Sequence, residues 1–88
     1  KIRCNAIAPG PIVTAHSRKV AGREFDIIAR HMPMGELGEP SDIAALVAFL
    51  GSAESRYING QVIVIDGGMS AHHAHVMDMM DYAAAQQG

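Results

Sequence analysis

Cysteine occurs once in the chain, tryptophan never, and tyrosine and phenylalanine twice each. A lone Cys4 rules out an internal disulfide framework and makes a reducing compartment, the cytoplasm, the default. Its only sequence-near cation is Arg3, on the opposite strand face, so Cys4 is expected to be a small buried hydrophobe and not a reactive thiol. Lysine is nearly as scarce, with only Lys1 and Lys19. The net charge is −2 and no basic run exists, so nothing calls for nucleic acid or a membrane surface. The longest apolar run, Ile43 to Leu50, is too short to span a bilayer. There is no initiator methionine and the chain opens inside a strand-like stretch. Its 88 residues fall short of the ~100–200 usual for a domain. The expectation is a fragment of a larger α/β domain, part of whose apolar surface faces residues beyond it.

What is present is apolar: 49% hydrophobic against 18% charged residues, which argues against disorder. The organising stretch is Asn5-Ala6-Ile7-Ala8-Pro9-Gly10-Pro11-Ile12-Val13-Thr14. Residues 2–8 read as a strand covered on both faces, with Ile2, Cys4, Ala6 and Ala8 on one side and Ile7 on the other. Pro9 removes a donor and ends the ladder, Gly10 permits unusual backbone angles, and Pro11 stiffens the exit. In an open parallel sheet, ligands sit beyond the carboxyl ends of the strands. Residues 9–14 then line a crevice, offering main-chain groups of Ile12 and Val13 and the Thr14 hydroxyl. Taken by spacing alone, the same residues also fit a plain strand end.

Further along, Ser17 is a candidate cap for a helix over 18–32, with Phe25, Ile28 and Met32 on one face. Pro33, Gly35 and Gly38 interrupt it. The clearest helix covers 40–52. Pro40 suits its first position, Ser41 or Glu39 its cap, and Asp42 its positive end. Ile43, Leu46, Val47 and Leu50 form its core stripe, and Gly51 suits its end. Gln61 to Asp66 reads as a second covered strand, so strand, helix and strand imply a parallel pair. Asp66-Gly67-Gly68 is expected to be a turn whose carboxylate bonds its own backbone. In the tail, residues 71–88, Val76, Met79, Met80 and Ala83 sit at helical spacing. His72, His73 and His75 with Asp78 have metal-ligand chemistry, but not the i, i+4 spacing of a helical site, and no metal is expected. His16 and His31 read as bystanders.

Three motifs carry a resemblance. Asn5 to Thr14, Gly38-Glu39-Pro40-Ser41-Asp42-Ile43-Ala44 with Phe49-Leu50, and Gly60-Gln61-Val62-Ile63-Val64-Ile65-Asp66-Gly67-Gly68 resemble, in order and spacing, the late segments of the short-chain dehydrogenase/reductase family. The resemblance covers most of residues 1–70. It implies the C-terminal portion of a Rossmann-like, doubly wound parallel sheet, in which 15–38 is the substrate loop. It implies NAD or NADP as cofactor, an alcohol or carbonyl substrate, and a homo-oligomer, tetramer or dimer, in the full-length protein. Pro9, Gly10, Pro11, Ile12 and Thr14 are the cofactor-binding positions it implies. Pro9 and Gly10 pass beside the nicotinamide, the Ile12 backbone holds its carboxamide, and the Thr14 hydroxyl reaches the carboxamide or pyrophosphate. Glu36 departs from the pattern, since related sequences often carry a basic residue there.

The family's proton-transfer pair is a tyrosine with a lysine four residues on, which brings a phenol of pKa about 10 towards neutrality. Here Tyr57 is followed by Gln61 and Tyr82 by Gln86, so no catalytic residue is assigned. The glycine-rich phosphate loop is missing too. Both lie upstream of this segment in the family. The expectation is an oxidoreductase parent whose isolated 88-residue piece is inactive. The alternative is a non-catalytic module that assembles through its last helix–strand unit and methionine-bearing tail.

Overall fold

Two short parallel strands sit at the centre, and everything else hangs from their ends. The structure, a computed structural model, describes residues 1–71 and 74–87, and the side chains of these except Ala21 and residues 74–77. Strand β1 is Ala6–Pro9 and strand β2 is Val62–Ile65. They pair in parallel, in the register Ala6↔Val62, Ile7↔Ile63, Ala8↔Val64 and Pro9↔Ile65. Between them run helix α1, Ala15–His31, and helix α2, Pro40–Leu50. Two 3-10 turns, Ala53–Ser55 and Met69–Ala71, flank β2, and helix α3 is Ala74–Gln87. No helix among the described residues is long and apolar enough to cross a membrane.

Both strands are shorter than the apolar patterns suggest. Before Ala6 one main-chain bond remains, from the Gly60 N–H to Cys4 O at 2.8 Å, and side chains supply the others. The Cys4 N–H donates to Asn59 Oδ1 at 2.9 Å and the Gln61 N–H to Asn5 Oδ1 at 3.0 Å. Cys4 is exposed, contrary to the expected buried role, because this irregular segment is not roofed. Arg3 instead is anchored: its guanidinium donates to Leu50 O at 2.8 Å, Ile58 O at 3.0 Å and Ser52 O at 3.4 Å. A cation on the last carbonyls of α2 satisfies groups the helix leaves open and suits its dipole.

The helices start where local chemistry dictates. α1 begins three residues earlier than expected, with Thr14 and not Ser17 as its N-cap. Thr14 and Ser17 form a reciprocal box: the Ser17 N–H donates to Thr14 Oγ1 at 3.1 Å, and the Thr14 N–H to Ser17 Oγ at 2.8 Å. Pro40 opens α2 behind Glu39, whose N–H donates to the Asp42 carboxylate at 2.8 Å. The Gly51 N–H makes the last α-helical bond of α2, to Val47 O at 3.0 Å; the Ser52 N–H then tightens to Phe49 O at 3.0 Å, and buried Ser55 ties the exit through its hydroxyl to Leu50 O at 2.9 Å.

The strands are not covered on both faces by this chain alone. Val62 and Val64 are 68% and 52% exposed, and Ile2 is 92% exposed. The α2 stripe is only half-buried at Ile43, Leu46 and Leu50, with Val47 exposed. Among the described residues, the buried hydrophobic ones are Val13 and Met32, at the carboxyl edge of the sheet. The Cα radius of gyration is 17.2 Å, against about 12 Å for a compact domain of this length. The chain does not close a full core; the buried apolar pair lies at the rim described next.

Candidate functional site

Parallel pairing sends both strand exits off the same edge. The Gly10 N–H continues the ladder by donating to Ile65 O at 3.0 Å, which sets Gly10 directly against Asp66. A Cβ built on Gly10 falls 2.6 Å from the Asp66 Cβ and 2.8 Å from its Cα, so no side chain fits there. The chain then meets the segment before α2. The Gly38 N–H donates to Pro11 O at 3.0 Å and the Val13 N–H to Gly38 O at 2.8 Å, forming an isolated parallel bridge between Ile12 and Gly38. Gly38 is less constrained: its Cβ would lie 2.6 Å from Ile12 Cδ1, the movable end of a side chain, and 3.6 Å from Pro11 O.

This bridge has a consequence for Ile12. In a parallel bridge the flanking residues spend their groups and the central one does not. Among the described residues, neither the N–H nor the C=O of Ile12 takes a hydrogen-bond partner within the chain. The result is one free donor and one free acceptor on a braced rim. Pro11 and Ile12 line a cavity of about 200 Å³ together with Met32, Met34, Glu36, Leu37, Gly38, Asp42, Ile65, Asp66 and Gly67. Pro9, Gly10 and Thr14 are outside its lining.

Thr14 is exposed and already employed. Its hydroxyl accepts from the Ser17 N–H and donates to Ser17 Oγ at 3.0 Å. A hydroxyl carries one donor and two lone pairs, so one acceptor site remains. Asp66 is turned on its own backbone, as its sequence suggests. Its carboxylate accepts from the Gly68 N–H at 3.0 Å and the Ser70 N–H at 2.8 Å. Hydrogen bonds from Ser70, and then from Gly68, hold this carboxyl below the usual range. Glu36 puts a carboxylate in the cavity lining, and the lining residues include no cation.

A larger open hollow, about 730 Å³, lies around Lys1, Arg3, Asn5, Ile7, Val47, Leu50, Gly51 and Arg56. It is at the amino end of β1, away from the strand exits, and Arg3 within it is committed to three carbonyls. We regard it as uncovered packing surface and not as the site. His16 and His31 are exposed and outside both spaces. His72, His73 and the His75 side chain lie outside the described residues; elsewhere among these, no cluster of three metal-ligating side chains occurs.

Sequence reasoning expected all of residues 9–14 to line the crevice, whereas only Pro11 and Ile12 do; it missed the brace at Gly38, the buried Met32 and the neighbour Asp66. Gly38 and Asp66 each sat in a motif already noted, yet their contacts join residues far apart in sequence. Only the register of the strands reveals them.

The family model described as enoyl-(acyl carrier protein) reductase matches residues 1–70. A 7alpha-hydroxysteroid dehydrogenase of Bacteroides fragilis is 47% identical over 73 residues, covering 82% of this chain and 28% of its own. A probable short-chain type dehydrogenase/reductase of Bradyrhizobium diazoefficiens is 48% identical over 73 residues, covering 82% and 26%. Among solved structures, ElxO with NADP bound aligns at TM-score 0.70 and 34% identity, covering 80% of this chain and 29% of that one. A 4-hydroxyisoleucine dehydrogenase complexed with NADH aligns at TM-score 0.66 and 32% identity, covering 81% and 28%. The chain thus spans little more than a quarter of the curated relatives it matches.

Proposed function

The chain belongs to the short-chain dehydrogenase/reductase family, and from that premise we propose that its whole protein transfers a hydride between NAD or NADP and an alcohol or carbonyl. In this reading residues 1–70 are the C-terminal part of the dinucleotide-binding domain, with 15–38 as substrate loop and 71–88 as tail. The observation that carries it is the free N–H and C=O of Ile12 on a braced rim at the carboxyl edge of the sheet. A primary carboxamide needs one acceptor and one donor in a plane, and Ile12 offers both.

The roles follow from what each residue leaves free. Pro9 and Gly10 form a flat wall beside the ring, and bare Gly10 keeps it close to Asp66. Pro11 fixes the exit. Ile12 would hold the carboxamide, its N–H available to the amide oxygen and its C=O to the amide nitrogen. Thr14 accepts with its one spare lone pair while capping α1. A bound nicotinamide supplies or accepts the hydride. Glu36, Asp42 and Asp66 around the cavity favour a neutral substrate group and disfavour an anionic one. Positioning of this kind accelerates reaction by holding reactants in near-attack geometry.

The tyrosine–lysine pair would come from elsewhere in the whole protein, so these 88 residues alone should give no turnover. The exposed Met79, Met80 and Tyr82 of α3 support a homo-oligomer of the whole protein, buried through this tail. The lone Cys4 supports a reducing, cytoplasmic setting. The test is absorbance of the reduced cofactor with the full-length protein, NADH or NADPH and a panel of ketones, or the oxidised cofactors with alcohols. Turnover with one cofactor that Gly10→Ala abolishes is expected. Failure to bind either nicotinamide, or turnover by the 88-residue chain alone, would overturn the reading.

A further inference from the structure

The Asp66-Gly67-Gly68 turn touches both halves of the rim. Gly67 and Gly68 have φ of +63° and +91°, the left-handed region. Against them lies the segment that leaves α1. A Cβ built on Gly68 falls 3.2 Å from both Cβ and Cγ of Pro33, and one on Gly67 falls 3.3 Å from the Met32 Cε. Met32 is only 7% exposed. On its other side the turn abuts Gly10, at Asp66. The segment continues tightly: the Gly35 N–H donates to Met32 O at 2.9 Å, and Gly38 three residues on is the brace of Ile12.

We infer that Asp66–Gly68 is a seat on which residues 32–34 rest, and that this seat couples the position of the 15–38 loop to the cofactor rim. The inference rests on the dinucleotide reading above. Asp66 and Gly67 reach the lining of the cavity beside Ile12, whereas Gly68, the residue tested below, does not. The seat's residues are positioning residues, acting through Pro33 and Met32 on Gly38, and through Gly38 on Ile12. Two bare glycines let the loop settle on the turn; Asp66 holds the turn's shape through Gly68 and Ser70. Unseating the loop then slackens the Gly38 bridge and loosens Ile12.

The test uses Gly68→Ala and Gly60→Ala in the full-length protein. Gly60 also has positive φ, +71°, but a Cβ there meets nothing within 4 Å. Both variants carry left-handed backbone strain; only Gly68→Ala presses on Pro33. Backbone amide exchange at Val13, Gly35 and Gly38 and titration with NADH and NADPH are the readouts. Gly68→Ala is expected to speed exchange at these amides and raise the cofactor dissociation constant by on the order of tenfold, with Gly60→Ala at wild-type values in both. Unchanged readouts in Gly68→Ala, or equal changes in Gly60→Ala, overturn the seat. Gly67→Ala, whose Cβ presses on the flexible end of Met32 at 3.3 Å and meets Met34 only at an ordinary 3.9 Å, is the milder variant; it shifts both readouts the same way by less and decides the matter if Gly68→Ala does not fold. A wild type that binds neither cofactor refutes the dinucleotide reading, and the exchange data then judge the seat alone.

Discussion

Gly10 is the most demanding residue of the rim. Gly10→Ala places a methyl 2.6 Å from the Asp66 Cβ and 2.8 Å from its Cα, and backbone there has little freedom to yield. The expected outcome is a loss of at least about tenfold in cofactor affinity, because Ile12 is displaced with the loop, measured by titration of the full-length protein. Asp66 carries a second prediction. Its folded pKa is lowered, so its stabilisation is complete above the ordinary carboxylate pKa, about 4, and fades as pH falls through the lower folded value. Comparing urea midpoints of wild type and Asp66→Asn across acid pH should show a difference above that range that closes below it. At this scale the sequence was partly legible. The Pro9-Gly10-Pro11 turn announces itself by residue type. The reason Gly10 must be bare does not, because Asp66 is far along the chain and arrives only through pairing of Pro9 with Ile65.

Among the elements, α1 is set by one hydroxyl. Thr14 caps the helix through Ser17. Thr14→Ala should cost about 1 kcal/mol of stability, with Thr14→Ser near wild type, measured by chemical denaturation. The α2 exit depends on a residue that precedes it by almost fifty positions. Arg3→Ala leaves Leu50 O, Ser52 O and Ile58 O without their cation and should destabilise the protein by roughly 1–3 kcal/mol, whereas Arg18→Ala on the exposed face of α1 should change it little. The element types were readable from periodicity and from Pro40 and Gly51. Their limits were not. Ser17 is a good capping residue, but Thr14 three positions earlier makes a reciprocal box with it, and a pair of hydroxyls outweighs one. Strand β1 lost its first residues because Asn5 and Asn59 take over bonds of the ladder through their side chains, a substitution that apolar alternation does not signal.

For the molecule as a whole, the apolar pattern reads as two covered strands and a core helix, and the strands and helix form, but this chain does not cover them. Val62, Val64 and Val47 are exposed, and the overall extents are 58 × 34 × 16 Å, a thin slab. An unroofed sheet of this kind is expected to self-associate when made alone, so the 88-residue chain should sediment as a heterogeneous assembly and the full-length protein as a discrete one. Through that incomplete body the rim stays well defined, since its bonds are local to β1, β2 and Gly38. Selective ¹⁵N labelling of isoleucine in the full-length protein, with NADH or NADPH added, examines the Ile12 amide itself. A large Ile12 shift with slowed exchange on cofactor binding is the predicted result; saturating cofactor that leaves the Ile12 resonance unmoved would contradict it.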